Sequence, residues 1–171
     1  MAEVAYGAGS DFARMQAGYA YWSTMRIGRS VPVPQAMGDS LELLFGEPIR
    51  HVRVVEHSLF VRLHGPAVAK TRRRRIYLRG SAADFFANPW LVLHEYCHVV
   101  RQWEPRTLTT ARYLLECLQR GYWNNRFEVE AREFADENLA RLRALLAARK
   151  RYEPSAEQRF APIEAAGYED E

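Results

Sequence analysis

Between Asn88 and Trp103 the chain reads NPWLVLHEYCHVVRQW, in which His94, Glu95 and His98 have H-E-x-x-H spacing. Residues four apart share one face of a helix. Two imidazoles placed this way can bind one metal ion, and the glutamate beside the first can reach a water held there. Histidine and carboxylate ligands suit zinc best and also admit manganese, cobalt or nickel. A zinc ion with three protein ligands keeps one position for water, lowers the pKa of that water and polarises a carbonyl. The expected chemistry is hydrolysis of a peptide or protein substrate at one zinc ion, with Glu95 as general base. The competing reading is that the pattern arises by chance and the histidines are hydrogen-bonded core residues. The uncharged flanks weigh against it. No charge other than Glu95 lies between Trp90 and Val100, and a buried carboxylate without a task is costly. Cys97, three residues after His94, reads as a small buried hydrophobe.

A third ligand must be acidic, because no histidine follows His98. The candidates are Glu128, Glu130, Glu133, Asp136 and Glu137. Phe127, Ala131, Phe134, Ala135, Leu139, Leu142, Leu145 and Leu146 mark the apolar arc of one helix at ~100° per residue. Glu128 falls within that arc and Glu130 at its edge, while the others point away. Glu128 is the expected ligand and Glu130 the reserve. Asn125 and Glu128 also fit the N-x-x-E capping box, a structural role for the same glutamate. Tyr96, Tyr113, Tyr122 and Arg101 are the nearby candidates for an oxyanion donor.

The elements that must position these groups are set by local pattern. Asn88 is a fitting N-cap, Pro89 a fitting first helical residue, and Pro105 a stop. A second helix is expected from a Thr107 or Thr109 cap to Arg120, burying Leu108, Ala111, Leu114, Leu115 and Leu118, with Gly121 ending it. A third opens at Tyr122 and runs to about Ala148. Upstream, Phe12, Met15, Tyr19 and Trp22 suggest a helix over 11–26. Gly28 to Gln35 reads as a loop, and Asp39 or Ser40 caps a short LELLF helix closed by Gly46. Residues 49–56, 58–64 and 75–79 read as strands of a small antiparallel or mixed sheet. The expected class is α+β: a small sheet, the H-E-x-x-H helix, then a long helix carrying the third ligand. Residues 1–36 form an N-terminal helix and proline-containing loop, 37–149 the hydrolase domain, and 150–171 a tail. The acidic end of that tail, Glu169 to Glu171, has a second reading as an inhibitory segment over the cleft.

With 171 residues, 48% hydrophobic and 26% charged, the chain has the composition of one soluble domain with a real core. A net charge of +3 does not by itself imply nucleic acid. The one basic run, Lys70 to Arg75, reads first as a solvated strand edge; nucleic-acid binding through Arg72–Arg75 is the alternative. His51, His57 and His64 have no ligand spacing and read as structural or surface residues. The two cysteines make no disulfide framework. There is no signal-peptide pattern and no ~20-residue apolar window, so a cytoplasmic protein without a membrane partner is expected. Export by an injection machine that needs no cleaved signal is compatible with this. No pattern specifies an oligomeric state.

The pair HEYCH and EVEAREFA resembles the gluzincin metallopeptidases, in which a ligand glutamate on a later helix completes H-E-x-x-H. The resemblance implies His94, His98 and Glu128 as zinc ligands and Glu95 as base, on a zincin-like fold. Several such families read E-x-E-A-[DN], with the Asp or Asn supporting the site; here that position is Arg132. Over roughly Met37 to Asp136, LELLFG, VRVV, AVAKTRRRRIYLRG and LVLHEYCHVVRQW resemble the bacterial extracellular contractile injection system core domain, formerly a domain of unknown function. That family implies a metallopeptidase, or a non-catalytic zinc-binding or partner-binding module of a toxin or injection-system protein.

Overall fold

The computed structural model describes residues 28–63 and 67–152. The helix expected over 11–26, His64 and the acidic end lie outside them. In chain order the elements are β1 (Arg29–Val31), α1 (Gln35–Phe45), β2 (Arg53–Glu56), α2 (Leu59–Leu63), β3 (Ala69–Arg72), β4 (Arg75–Leu78), α3 (Ala82–Phe86), α4 (Pro89–Cys97), a π-helical turn (His98–Trp103), α5 (Thr110–Arg120) and α6 (Arg126–Tyr152). The class is α+β. The sheet order is β1-β2-β4-β3, with β2 and β4 parallel and the other pairs antiparallel. Strand alternation turns Val54, Ile76, Leu78 and Ala69 into the core. There they join Leu41 of α1, Val92 and Leu93 of α4, and Ala131, Ala135 and Leu142 of α6. Helices α4 and α6 pack on each other, which brings the H-E-x-x-H segment against the start of the long helix.

Several sequence expectations need correction. Of the strand expected over 58–64, residues 58–63 are described and do not form a strand. His57 adopts φ 50° and turns the chain out of β2, and Leu59–Leu63 winds into a short helix that buries Val61. A short apolar run is ambiguous between the two states, and the turn before it decides. The loop over 28–35 contains strand β1. Helix α1 starts at Gln35, ahead of Asp39 and Ser40. Ser40 Oγ donates to Ala36 O at 2.6 Å inside the helix, while Asp39 pairs with Arg50 and Arg149. Helix α6 starts at Arg126 rather than Tyr122, because Asn125 Oδ1 caps the Phe127 N–H at 3.0 Å. The largest departure is α5. Thr109 caps it and Gly121 ends it at φ 73°, but Leu114, Leu115 and Leu118 are exposed, Leu118 by 85%, and Ala111 is exposed too. Leu108 alone of that set is buried. Periodicity identifies an apolar face and cannot say whether another element covers it; no described element covers this one.

Glu56 shows how the sheet edge is tied down. Alternation puts its carboxylate on the core side of β2, where it accepts from Arg29 Nε at 2.8 Å and from the Ala82 N–H at 3.0 Å. Burial works to raise its pKa, but the Ala82 N–H and Arg29 outweigh burial and hold it below its ordinary range. Its contribution to stability is therefore present above about pH 4.5 and lost as pH falls through the lowered value. Glu56→Gln should destabilise the protein by about 1–3 kcal/mol at pH 7, since it weakens a charge-assisted pair and leaves Arg29 without its counter-ion. Urea unfolding at pH 7 and pH 4 checks this: the gap between variant and wild type should narrow at the lower pH.

Candidate metal centre

The helix that carries H-E-x-x-H begins as its sequence requires. Asn88 Oδ1 accepts the Leu91 N–H at 3.2 Å and Pro89 occupies the first turn. Val92, Leu93, Tyr96 and Cys97 are fully buried, so the helix is locked by packing on several sides. His94, Glu95 and His98 are buried with them. At the start of α6, Asn125 ties that helix to α5 by donating to Tyr113 O at 3.3 Å and Cys117 Sγ at 3.2 Å. This anchor fixes Glu128, one turn in, against the two imidazoles.

His94 Nε2 and His98 Nε2 stand 3.2 Å apart. Glu128 Oε2 is 3.4 Å from His94 Nε2 and Oε1 is 3.7 Å from His98 Nε2. Three donors placed tetrahedrally at zinc bond lengths lie about 3.3–3.4 Å from one another, so the observed spacing fits one small ion. His94, His98 and Glu128 form a buried set that could hold a metal ion among the described residues. Glu128 Oε2 is buried without a hydrogen-bond partner among the described residues, which leaves a lone pair available to an ion held by the set. Glu130 does not join the set. Glu128 is not the reciprocal member of a capping box either: Asn125 caps alone, and Tyr113 donates its hydroxyl to Glu128 Oε1 at 2.8 Å. Burial would raise the pKa of Glu128, but the two imidazoles beside it and the Tyr113 hydroxyl hold it well below the usual carboxylate range. For His98, burial favours the neutral ring, and the Glu128 and Glu95 carboxylates outweigh this and raise its pKa.

Around this set lie residues that pattern alone did not single out. Gln102, fully buried, donates from Nε2 to Phe127 O at 2.9 Å and to Glu130 Oε2 at 3.1 Å. Its Oε1 therefore faces His98 Nδ1 at 2.7 Å. This network assigns the Nδ1 proton to His98 and turns the Nε2 lone pair toward the ligand set. Glu130 thus acts on His98 through Gln102. Trp90 stacks on His94 with centroids 5.3 Å apart and is itself held by Asp136 at 2.7 Å. Thr71 of β3 donates to Glu95 Oε2 at 2.6 Å. Gln102 is four residues after His98, so its shared face was readable from spacing. Thr71 reaches Glu95 only through the fold and left no local signal. Gln102→Leu, which keeps the core volume, should weaken zinc binding by about 10–100-fold, measured by competition with a chromophoric chelator.

Tyr96 is fully buried, and Arg101 sits over the Phe134 ring and beside Glu130. Tyr113 is engaged by Glu128. Tyr122 is half exposed; partial burial, then the nearby Glu128 carboxylate, and also Glu95, raise its pKa. Burial, with Glu130 nearby, pushes the Cys97 thiol up to about 12, so it packs as a hydrophobe and offers no thiolate. Arg132 turns away from the histidines, donating to Trp123 O and lying over the Trp123 ring. His94 Nδ1 is buried and has no partner among the described residues. The arginine run forms the β3–β4 hairpin, where among the described residues only Arg74 finds a carboxylate, Glu104, which also meets His51.

No helix among the described residues is long and apolar enough to cross a membrane. Comparison of the chain with protein-family models, with curated proteins and with solved structures returned no match.

Proposed function

We propose that this protein is a zinc-dependent metallopeptidase on a zincin-like scaffold. The observation that carries the reading is the buried His94–His98–Glu128 donor set with Glu95 beside it, its carboxylate already held by Thr71. A zinc ion bound by that set supplies Lewis-acid polarisation of a carbonyl and activation of water. Glu95 does the proton work. With Oε2 fixed by Thr71, Oε1 takes a proton from water as the carbonyl carbon is attacked and returns it to the amine nitrogen as the C–N bond breaks. One water is consumed, and one acid and one amine result. Tyr122, near enough to Glu128 and Glu95 for both carboxylates to raise its pKa, is the candidate donor for charge developing on the carbonyl oxygen. Gln102, Trp90 and Tyr113 keep the ligands oriented.

The test is a diverse peptide library incubated with the zinc-loaded protein and read by mass spectrometry for new termini. Cleavage that stops with chelator and returns with zinc supports the reading. One tightly bound zinc per chain with no cleavage supports a second reading, a metal-binding module without turnover. The observation favouring that alternative is that His94 Nδ1 has no partner among the described residues, with Arg132 drawn away to Trp123.

A further inference from the structure

The strand that touches Glu95 is also the end of a row of positive charge. Register places Arg53 of β2 beside Arg75 of β4, and Arg75 beside Arg72 of β3. All three side chains are exposed and stand on the sheet face opposite Thr71 and Ile76, because strand alternation is strict. Adjacent strands lie about 4.8 Å apart, so three like charges run across neighbouring strands, an arrangement that is unfavourable on its own. Arg73 extends the row into the hairpin turn at φ 54°, a position that favours Gly, Asn or Asp. Among the described residues Arg53, Arg72, Arg73 and Arg75 have no carboxylate partner; the local acid, Glu104, is occupied by Arg74 and His51. An anion is the natural complement.

The edge of β3 says what kind of anion. β3 is the last strand of the sheet. In its two-residue hairpin with β4, Arg72–Arg75, Lys70–Tyr77 and Val68–Arg79 exchange main-chain bonds, as the Arg79 N–H to Val68 O distance of 2.8 Å shows. The main-chain groups of Ala69 and Thr71 therefore point outward along an edge that no described strand covers. An extended peptide pairing there continues the rows of the sheet. Its residue across from Thr71 comes beside Glu95, and the next one, across from Arg72, continues the arginine row. No aromatic platform for stacking bases lies on that row; Tyr77 belongs to the next one and packs on Phe60 at 5.2 Å.

We propose that the arginine row selects acidic peptides: the substrate lies along β3 with Asp or Glu across from Arg72, adjacent to the residue presented to Glu95. This rests on the peptidase reading for its chemistry. The test separates the two. Binding is measured by fluorescence anisotropy on the zinc-loaded full chain carrying Glu95→Gln. The probes are labelled octapeptides alternating Glu with Thr, their Gln and Lys counterparts, and a single-stranded DNA octamer. The Glu peptide should bind at least about 10-fold more tightly than its Gln isostere. That preference should reverse toward Lys when Arg72→Glu and Arg75→Glu are added, with zinc content unchanged. Arg73→Gly removes one charge at a position where glycine is at ease, and should weaken the Glu peptide several-fold. Equal binding of Glu and Gln peptides, or an unaltered preference in the reversed variant, overturns the proposal. DNA binding that the Glu peptide cannot displace also overturns it and assigns the row to nucleic acid. In the otherwise wild-type chain, cleavage of Glu and Gln peptides alike overturns the selectivity and leaves the peptidase. Charge-selective binding without cleavage overturns the peptidase and leaves an acidic-peptide surface.

Discussion

Glu95→Gln should lower peptide hydrolysis by about 10²–10⁴-fold, the usual contribution of a positioned general base, while zinc content stays at the wild-type level. The reasoning is geometric. Glu95 lies outside the ligand set, which is His94, His98 and Glu128, so replacing it leaves the donors in place. The amide is isosteric and can still accept the Thr71 hydroxyl, which approaches Oε2 at 2.6 Å. What it cannot do is take a proton. Cleavage kinetics on any peptide found in the library screen, together with zinc by plasma mass spectrometry, check both halves. Activity within a few-fold of wild type would remove Glu95 as the base. Loss of zinc along with activity would make it a ligand.

Zinc should also stabilise the fold, by about 4 kcal/mol at a free concentration 1,000 times its dissociation constant, and Glu128→Ala should abolish most of that gain. The pH dependence has a definite sign. In the metal-free protein the pKa of His98 is raised above its ordinary 6.5. Its contribution is complete below that value and is lost as pH rises through the raised one. The pKa of Glu128 is lowered from its ordinary 4.5, so its contribution is present above about 4.5 and lost as pH falls through the lowered value. The metal-free cluster is thus most stabilising in mildly acidic solution. Zinc must displace the His98 proton, so the shift in melting temperature on adding zinc should grow from pH 6 to pH 8. A shift that is flat with pH, or retained in Glu128→Ala, would contradict this assignment of ligands.

The parts of this molecule that were legible in the sequence are those set by local chemistry. Asn88 and Pro89 mark where α4 begins, Thr109 and Gly121 bound α5, and the arc through Phe127, Ala131 and Ala135 separates Glu128 from Glu130. These assignments need only helix geometry, and Glu128 is the carboxylate found near both imidazoles. What was not legible depends on contacts between distant segments. Residues 58–63 look strand-like until the positive φ of His57 redirects them. Leu114, Leu115 and Leu118 look buried because an apolar stripe does not specify its partner. Thr71 meets Glu95 across 24 positions of chain, and the arginine row exists only because parallel pairing sets Arg53 beside Arg75.

The π-helical turn after His98 has a consequence for how this chain tolerates change in length. Its widened ring, closed by the Glu104 N–H to Val99 O bond at 3.0 Å, accommodates one residue more than an α-helix would between the same two packed ends. Loss of a single residue from 99–101 would let the backbone relax into ordinary α geometry with the same two ends in place, and would set Gln102 three residues after His98 instead of four. Gln102 would stay on the His98 face, and the core contacts on either side of the turn would survive. The segment is therefore a point at which the chain absorbs a one-codon deletion, whereas the same deletion within α4 would rotate everything after it by about 100°.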